Sequence, residues 1–128
     1  MLLSYSSPVN DLGRLPPAGT KQVCYGIAGA VADEFGLPAV DIKSATRGAP
    51  RAAYARQVAM YLAHICFALS FETIGRAFNR DRTTVAHACR VVEDSRDDVG
   101  LDRCVAKLER MCSEARSERF QGGSDAGF

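Results

Sequence analysis

The chain has 128 residues, 47% of them apolar and 24% charged, which suits one globular domain and excludes a chain too polar to bury a core. No apolar run reaches membrane-spanning length before a charge breaks it, and the opening Met-Leu-Leu-Ser-Tyr-Ser-Ser-Pro lacks the basic start of a secretory signal. Net charge is only +1, yet Lys43, Arg47, Arg51, Arg56, Arg76, Arg80, Arg82 and Arg90 face only Glu72 and Asp81 within residues 43–92, so a +6 middle lies between ends that sum to −5.

Residues 1–19 carry Pro8, Gly13, Pro16, Pro17 and Gly19 with little periodicity and are expected to form a flexible arm. A helical domain is expected over 20–118. Thr20 is placed to cap a helix in which Val23, Ile27, Val31 and Phe35 recur at four-residue steps, with Gly36 and Pro38 to end it. A short helical turn is expected around Val40–Lys43, then a basic loop from Thr46 to Arg51 with Pro50 in the first turn of the next helix. That helix, about Arg51 to Leu69, should bury Tyr54, Val58, Tyr61 or Leu62, Ile65 and Leu69. Ser70 should cap a shorter one that turns Phe71, Ile74 and Phe78 inward.

Asn79-Arg80 predicts a tight turn, because asparagine tolerates positive φ nearly as well as glycine. Asp81 is then the expected cap of a further helix, its carboxylate reaching the N–H of Thr83 or Thr84. Val85, Ala88, Cys89 and Val92 form the apolar stripe of that helix, leaving Arg82, Thr83, Ala86, His87 and Arg90 outside. After an acidic break at 93–100, Leu101, Val105, Leu108, Met111 and Cys112 stripe a last helix, which could close the domain or serve as a homodimer interface. Residues 119–128 read as a disordered tail. With no strand pattern, the fold class is all-α.

A short helix, a tight turn and a second helix that is apolar inside and basic outside form a helix-turn-helix. In such a pair Arg82 can bond guanine O6 and N7 bidentately, Thr83 suits a thymine methyl or a phosphate, and the helix N-terminus turns N–H groups toward anions. Arg90, two turns on, can reach the flanking backbone. Arg76 reads equally as a phosphate contact or a solvated charge.

The segments Ala55-Arg-Gln-Val-Ala-Met-Tyr-Leu62, Ile74-Gly-Arg-Ala-Phe78 and Arg80-Asp-Arg-Thr-Thr-Val-Ala-His-Ala-Cys-Arg90 resemble the C-terminal DNA-binding domain of the bacterial replication initiator DnaA. The likeness spans roughly residues 20–116. It implies a helix-turn-helix domain related to Trp repressor that binds short asymmetric duplex boxes, with one helix in the major groove and a loop arginine in the minor groove. Carried over by position, Asp81, Arg82 and Thr83 match base-reading residues and Thr84 a backbone contact. Arg47 lies nearest the minor-groove arginine, and Arg56, Gln57, Ser70 and Phe71 match positions near phosphates. Arg51, Arg80, His87 and Arg90 complete the expected DNA-binding set.

The chain departs from the family pattern at three places. Arg82 stands where the family usually has histidine, which should draw the preferred sequence toward guanine or exchange specificity for affinity. Asn79 alone occupies a turn that commonly holds two glycines. Gly48 follows Arg47 where a second arginine is usual.

No G-x-x-x-x-G-K-[ST] phosphate loop occurs, so no nucleotide site is expected, and the chain reads as a stand-alone copy of the binding domain. Five cysteines without a C-x-x-C pair read as reduced, buried thiols rather than a disulfide or zinc framework. His64 and His87 each lie two positions from a cysteine, on different helix faces, so no metal, cofactor or catalytic residue is expected. The resulting expectation is a cytoplasmic, nucleoid-associated protein that binds double-stranded DNA at DnaA-type boxes and regulates replication initiation or transcription. A protein-interaction module acting on the initiator, or a non-specific DNA binder, is the competing expectation.

Overall fold

A computed structural model describes the backbone of residues 17–43 and 50–125, and all of it that is regular is helical. The six helices are α1 (Pro17–Phe35), α2 (Ala39–Lys43), α3 (Pro50–Phe67), α4 (Phe71–Phe78), α5 (Arg82–Ser95) and α6 (Val99–Asp125). The all-α expectation therefore stands. Residues 1–16 of the expected arm, and 126–128 of the expected tail, lie outside the described residues. The remainder of both stretches is helical in backbone, since α1 starts at Pro17 and α6 runs to Asp125. Thr20 consequently lies buried inside α1 rather than at its cap. A proline is favourable in a first turn, where its missing N–H has no helical partner to lose.

The chain makes its turns with local chemistry. Gly36 closes α1 at φ +68°, and the Leu37 N–H returns to the Ala32 carbonyl at 2.8 Å, a left-handed cap that satisfies the exposed end of the helix. At the end of α3 an alanine takes the same role. Ala68 has φ +56°, and the Leu69 N–H reaches back to the Ala63 carbonyl at 3.4 Å. Asp98 starts α6 by accepting the Leu101 N–H at 2.9 Å.

Helix α3 is the axis of the domain and packs against each of the other five. Its centre is enclosed on all sides, with Val58, Ala59, Met60, Tyr61, Leu62 and Ala63 buried in succession. Around it α1 contributes Val23, Ile27 and Val31, α4 Ile74 and Phe78, α5 Val85, Ala88 and Val92, and α6 Val105, Leu108 and Cys112. Two expected core residues are not buried. Ile65 is 41% exposed, because the last turn of α3 is covered on one side only, where Cys66 and Phe67 pack against the core. Met111 is 42% exposed, because the buried strip of α6 is narrow and 111 falls to one side of the line through 105, 108 and 112. Phe35, Tyr54 and Phe71 are only partly buried against the core.

The acidic break holds a polar joint that was not anticipated. Arg96 donates to Asp102 at 2.6 Å, to Glu109 at 2.8 Å and to the Tyr61 hydroxyl at 3.1 Å, tying the end of α5 to both α6 and α3. Beside it the Tyr54 hydroxyl and Ser95 Oγ lie 2.5 Å apart. Lys107 pairs with Glu34 of α1 at 3.0 Å. Lys107 and Glu109 therefore tie α6 to α1 and to the end of α5.

Candidate nucleic-acid interface

The α4–α5 pair is assembled from three capping events in close sequence. Ser70, extended at φ −72° and ψ 157°, accepts the Thr73 N–H at 3.1 Å and donates its hydroxyl to Thr73 Oγ1 at 2.8 Å. Asn79 ends α4 in the left-handed region at φ 59° and ψ 48°. The Arg80 N–H then returns to the Gly75 carbonyl at 2.8 Å. Asp81, extended again, accepts the Thr84 N–H at 2.8 Å and starts α5. Three residues thus reverse the chain between the two helices.

Gly75 is what makes so short a turn possible. A Cβ on Gly75 would stand 2.3 Å from the Arg80 carbonyl oxygen, well inside contact distance. The turn lies directly on the α4 backbone, and only a hydrogen fits between them.

The exposed edge of α5 carries the expected residues together. Arg82, Thr83, Thr84, His87 and Arg90 are all exposed, while Val85, Ala88, Cys89 and Val92 are buried beneath them. A single helix therefore presents guanidinium, hydroxyl and imidazole groups along one side, with its N–H-rich first turn leading. Asp81 is fully exposed, and the Thr84 amide it accepts, together with Thr83, holds its carboxyl below the ordinary carboxylate range. One of its oxygens is thereby committed to the cap. Arg80, in the turn, is half-buried, its guanidinium donating at 3.4 and 3.3 Å to the Phe78 and Asn79 carbonyls.

Ser70 and Phe71 sit at the head of α4, half-buried, where the His64 ring lies 4.5 Å from the Phe71 ring and its Nδ1 meets the Leu69 carbonyl at 2.9 Å. Gln57 is half-buried on α3. Arg56 differs from its expected place on the surface. It is only 7% exposed, with Nε donating to the Ile42 carbonyl at 2.9 Å and Nη2 to the Asp41 carbonyl at 3.0 Å. These carbonyls belong to the last turn of α2, so Arg56 fixes the point from which the basic loop departs. Burial lowers its proton affinity, the nearby charge of Arg80 adds to the effect, and Asp41 opposes it.

Arg51 is placed elsewhere. Its guanidinium donates to the Phe35 carbonyl, and it borders a shallow apolar depression with Glu34, Tyr54, Leu101 and Cys104, at the meeting of α1, α3 and α6. Arg47 lies outside the described residues. Arg76 pairs loosely with Glu72 at 3.8 Å along exposed α4. Sequence reasoning missed Gly75, whose signal was a lone glycine inside an otherwise helical segment.

The cysteines are free, and among the described residues no cluster of three or more His, Cys, Asp or Glu could hold a metal ion. No described helix is long and apolar enough to cross a membrane.

Comparison with known proteins agrees with this geometry. The family model described as the bacterial DnaA protein helix-turn-helix matches residues 25–92, which include α3, α4 and most of α5. The chromosomal replication initiator protein DnaA of Laribacter hongkongensis is 38% identical over 97 residues, covering 73% of this chain and 20% of the relative. That of Symbiobacterium thermophilum is 37% identical over 98 residues, with 73% and 21% covered. That of Agrobacterium fabrum reaches 48% over 61 residues, or 46% of this chain and 12% of the relative. A crystal structure described as a DNA replication initiation factor superposes with a TM-score of 0.66 at 33% identity, covering 75% of this chain and 30% of the other. The chain thus spans about a fifth or less of the length of these curated relatives. With a helix-turn-helix at α4–α5 and more than half of its residues inside the family match, this chain belongs to the bacterial DnaA helix-turn-helix family.

Proposed function

We propose that this protein binds double-stranded DNA sequence-specifically at sites like DnaA boxes, through α5 in the major groove, and so acts on replication initiation. The observation that carries the reading is the exposed row Arg82, Thr83, Thr84, His87 and Arg90 above a fully buried apolar stripe. A helix with this division leaves its polar edge available for a groove at no cost to the core. Family membership and the initiator names of the relatives support the same reading.

Within it, Arg82 reads guanine through two parallel N–H bonds, Thr83 contacts a thymine methyl or a phosphate, and Thr84 and Arg90 hold the backbone. Arg82 replaces the family's usual histidine, so the preferred box carries a guanine opposite it. Arg80 in the turn and the capped head of α4 supply positive potential for the adjoining phosphates. Arg47 is proposed for the minor groove. Arg51, engaged at Phe35, belongs to the fold rather than to this surface.

The last helix offers little for self-association through its apolar stripe, because Val105, Leu108 and Cys112 are buried in the chain's own core. A monomer on each box is the simpler arrangement.

Alanine substitution separates base reading from phosphate binding. Arg82→Ala should reduce the preference for a box over scrambled duplex by about 1–3 kcal/mol, whereas Arg90→Ala should weaken binding to both duplexes alike. Unchanged preference in Arg82→Ala would remove α5 as the reading helix. A wild type that binds initiator protein but no duplex would establish the protein-interaction module instead.

A further inference from the structure

We infer that His87 joins the DNA interface as the imidazolium ion, holding a backbone phosphate, so that binding takes up a proton and strengthens as pH falls through neutrality. The inference rests on the reading of α5 as the helix that enters the groove. An α-helix turns about 100° and rises about 1.5 Å per residue, so Thr83, His87 and Arg90 fall within about 60° of one another around α5. They lie on the side opposite the buried Val85, Ala88, Cys89 and Val92. His87 stands about 6 Å along the helix from Thr83 and about 4.5 Å before Arg90, within the stretch that a groove-bound helix turns toward DNA.

Nothing in the fold uses the ring. His87 is exposed, and among the described residues it makes no hydrogen bond or ion pair. The other histidine differs, since His64 is bonded to the Leu69 carbonyl and packed on Phe71. Helix α5 packs against α3 and α4 through its buried side. The charged groups of α4, Glu72 and Arg76, pair with each other at 3.8 Å. On α3, Arg51 and Arg56 are spent on carbonyls, while the Tyr54 and Tyr61 hydroxyls meet Ser95 and Arg96. Asp81 is committed to its cap. On the outer side of α5 itself the charges are Arg90 and, about 10 Å from His87, Asp94.

Histidine is the side chain that ordinarily changes charge between pH 5 and 8. A neutral imidazole offers one N–H and one lone pair, whereas imidazolium offers two donors and a full positive charge. A phosphate accepts hydrogen bonds and is negative, so the bound state favours the protonated ring. Where the bound protein keeps a proton that the free protein has released, affinity rises as pH falls. The gain levels off once the free protein is protonated too. A phosphate contact carries no sequence information, so the gain is the same on any duplex.

The test is the affinity of the full chain for a DnaA-type box and for a scrambled duplex, at about pH 6 and about pH 8, each between about 50 and 200 mM salt. Wild-type affinity should be about three- to tenfold higher at the lower pH on both duplexes. The slope of log affinity against log salt should also steepen there by about 0.9, the value of one further phosphate. His87→Gln, which cannot take the proton, should be insensitive to pH in both readouts. His87→Arg, always charged, should be insensitive too but keep the steeper slope at both pH values. His64→Gln should respond as wild type does. A response that survives in His87→Gln, that vanishes in His64→Gln, or that is confined to the box duplex overturns the inference. Wild-type binding that is the same at both pH values overturns it and leaves the proposed function standing, whereas binding to neither duplex overturns both.

Discussion

Gly75 and Asn79 decide whether the chain can turn between the two helices of the site. An added methyl at 75 meets a carbonyl that cannot move without opening the turn, so Gly75→Ala should destabilise the fold by about 1–3 kcal/mol in urea titration, as overpacking does. Asn79 already bears its left-handed conformation better than most residues, so Asn79→Ala should cost about 1 kcal/mol while Asn79→Gly stays near neutral. Asn79 was legible in the sequence because its preference is local. Arg56 was not, since nothing in its neighbours reveals that the last turn of α2 will fold back over it. Its two bonds to carbonyls make Arg56→Ala a fold substitution, expected to lower stability by about 1–3 kcal/mol. A loss of DNA affinity in that variant with stability unchanged would return Arg56 to the phosphate surface.

Helix α5 is the element most fully visible in the sequence. Its cap follows from Asp81, its buried stripe and exposed edge from apolar residues at i, i+3, i+4 and i+7, and all are found where expected. Longer helices were harder to read. Helix α3 is enclosed at its middle and covered on one side at its end, so its periodicity does not reveal that Ile65 emerges, and the narrow strip of α6 likewise excludes Met111. The cap at the head of α5 carries a pH dependence with a definite sign. The folded state holds Asp81 charged to lower pH than the unfolded state does, so in that interval the unfolded chain binds more protons. The contribution of the cap is therefore complete above the ordinary carboxylate pKa and disappears as pH falls through the depressed value. Asp81→Asn should keep the neutral-pH melting temperature, because asparagine caps comparably, and should flatten its decline in acid.

At the scale of the whole molecule, the joint at Arg96 holds three helices in register behind the recognition edge. Tyr61 lies 35 positions away on α3, and Asp102 and Glu109 lie on the helix that follows, which is why a stretch that reads as an acidic break becomes a joint between three helices. Arg96→Ala should lower stability by about 1–2 kcal/mol, and added salt should narrow the difference from wild type. The basic middle of the sequence resolves into two populations, cations used in the fold (Arg51, Arg56) and cations on the exposed edge of α5 (Arg82, Arg90). The first population is engaged within the fold, so on the proposed function the local charge of +6 overstates the number of phosphates that can be neutralised. The most direct measurement is the affinity of the full chain for a duplex carrying a DnaA-type box and for a scrambled duplex, between about 50 and 200 mM salt. Both affinities should fall steeply and linearly on logarithmic axes, with the box bound at least about tenfold more tightly at every salt concentration. Equal affinities throughout would contradict sequence recognition by α5, and no binding at the lowest salt would contradict DNA binding itself.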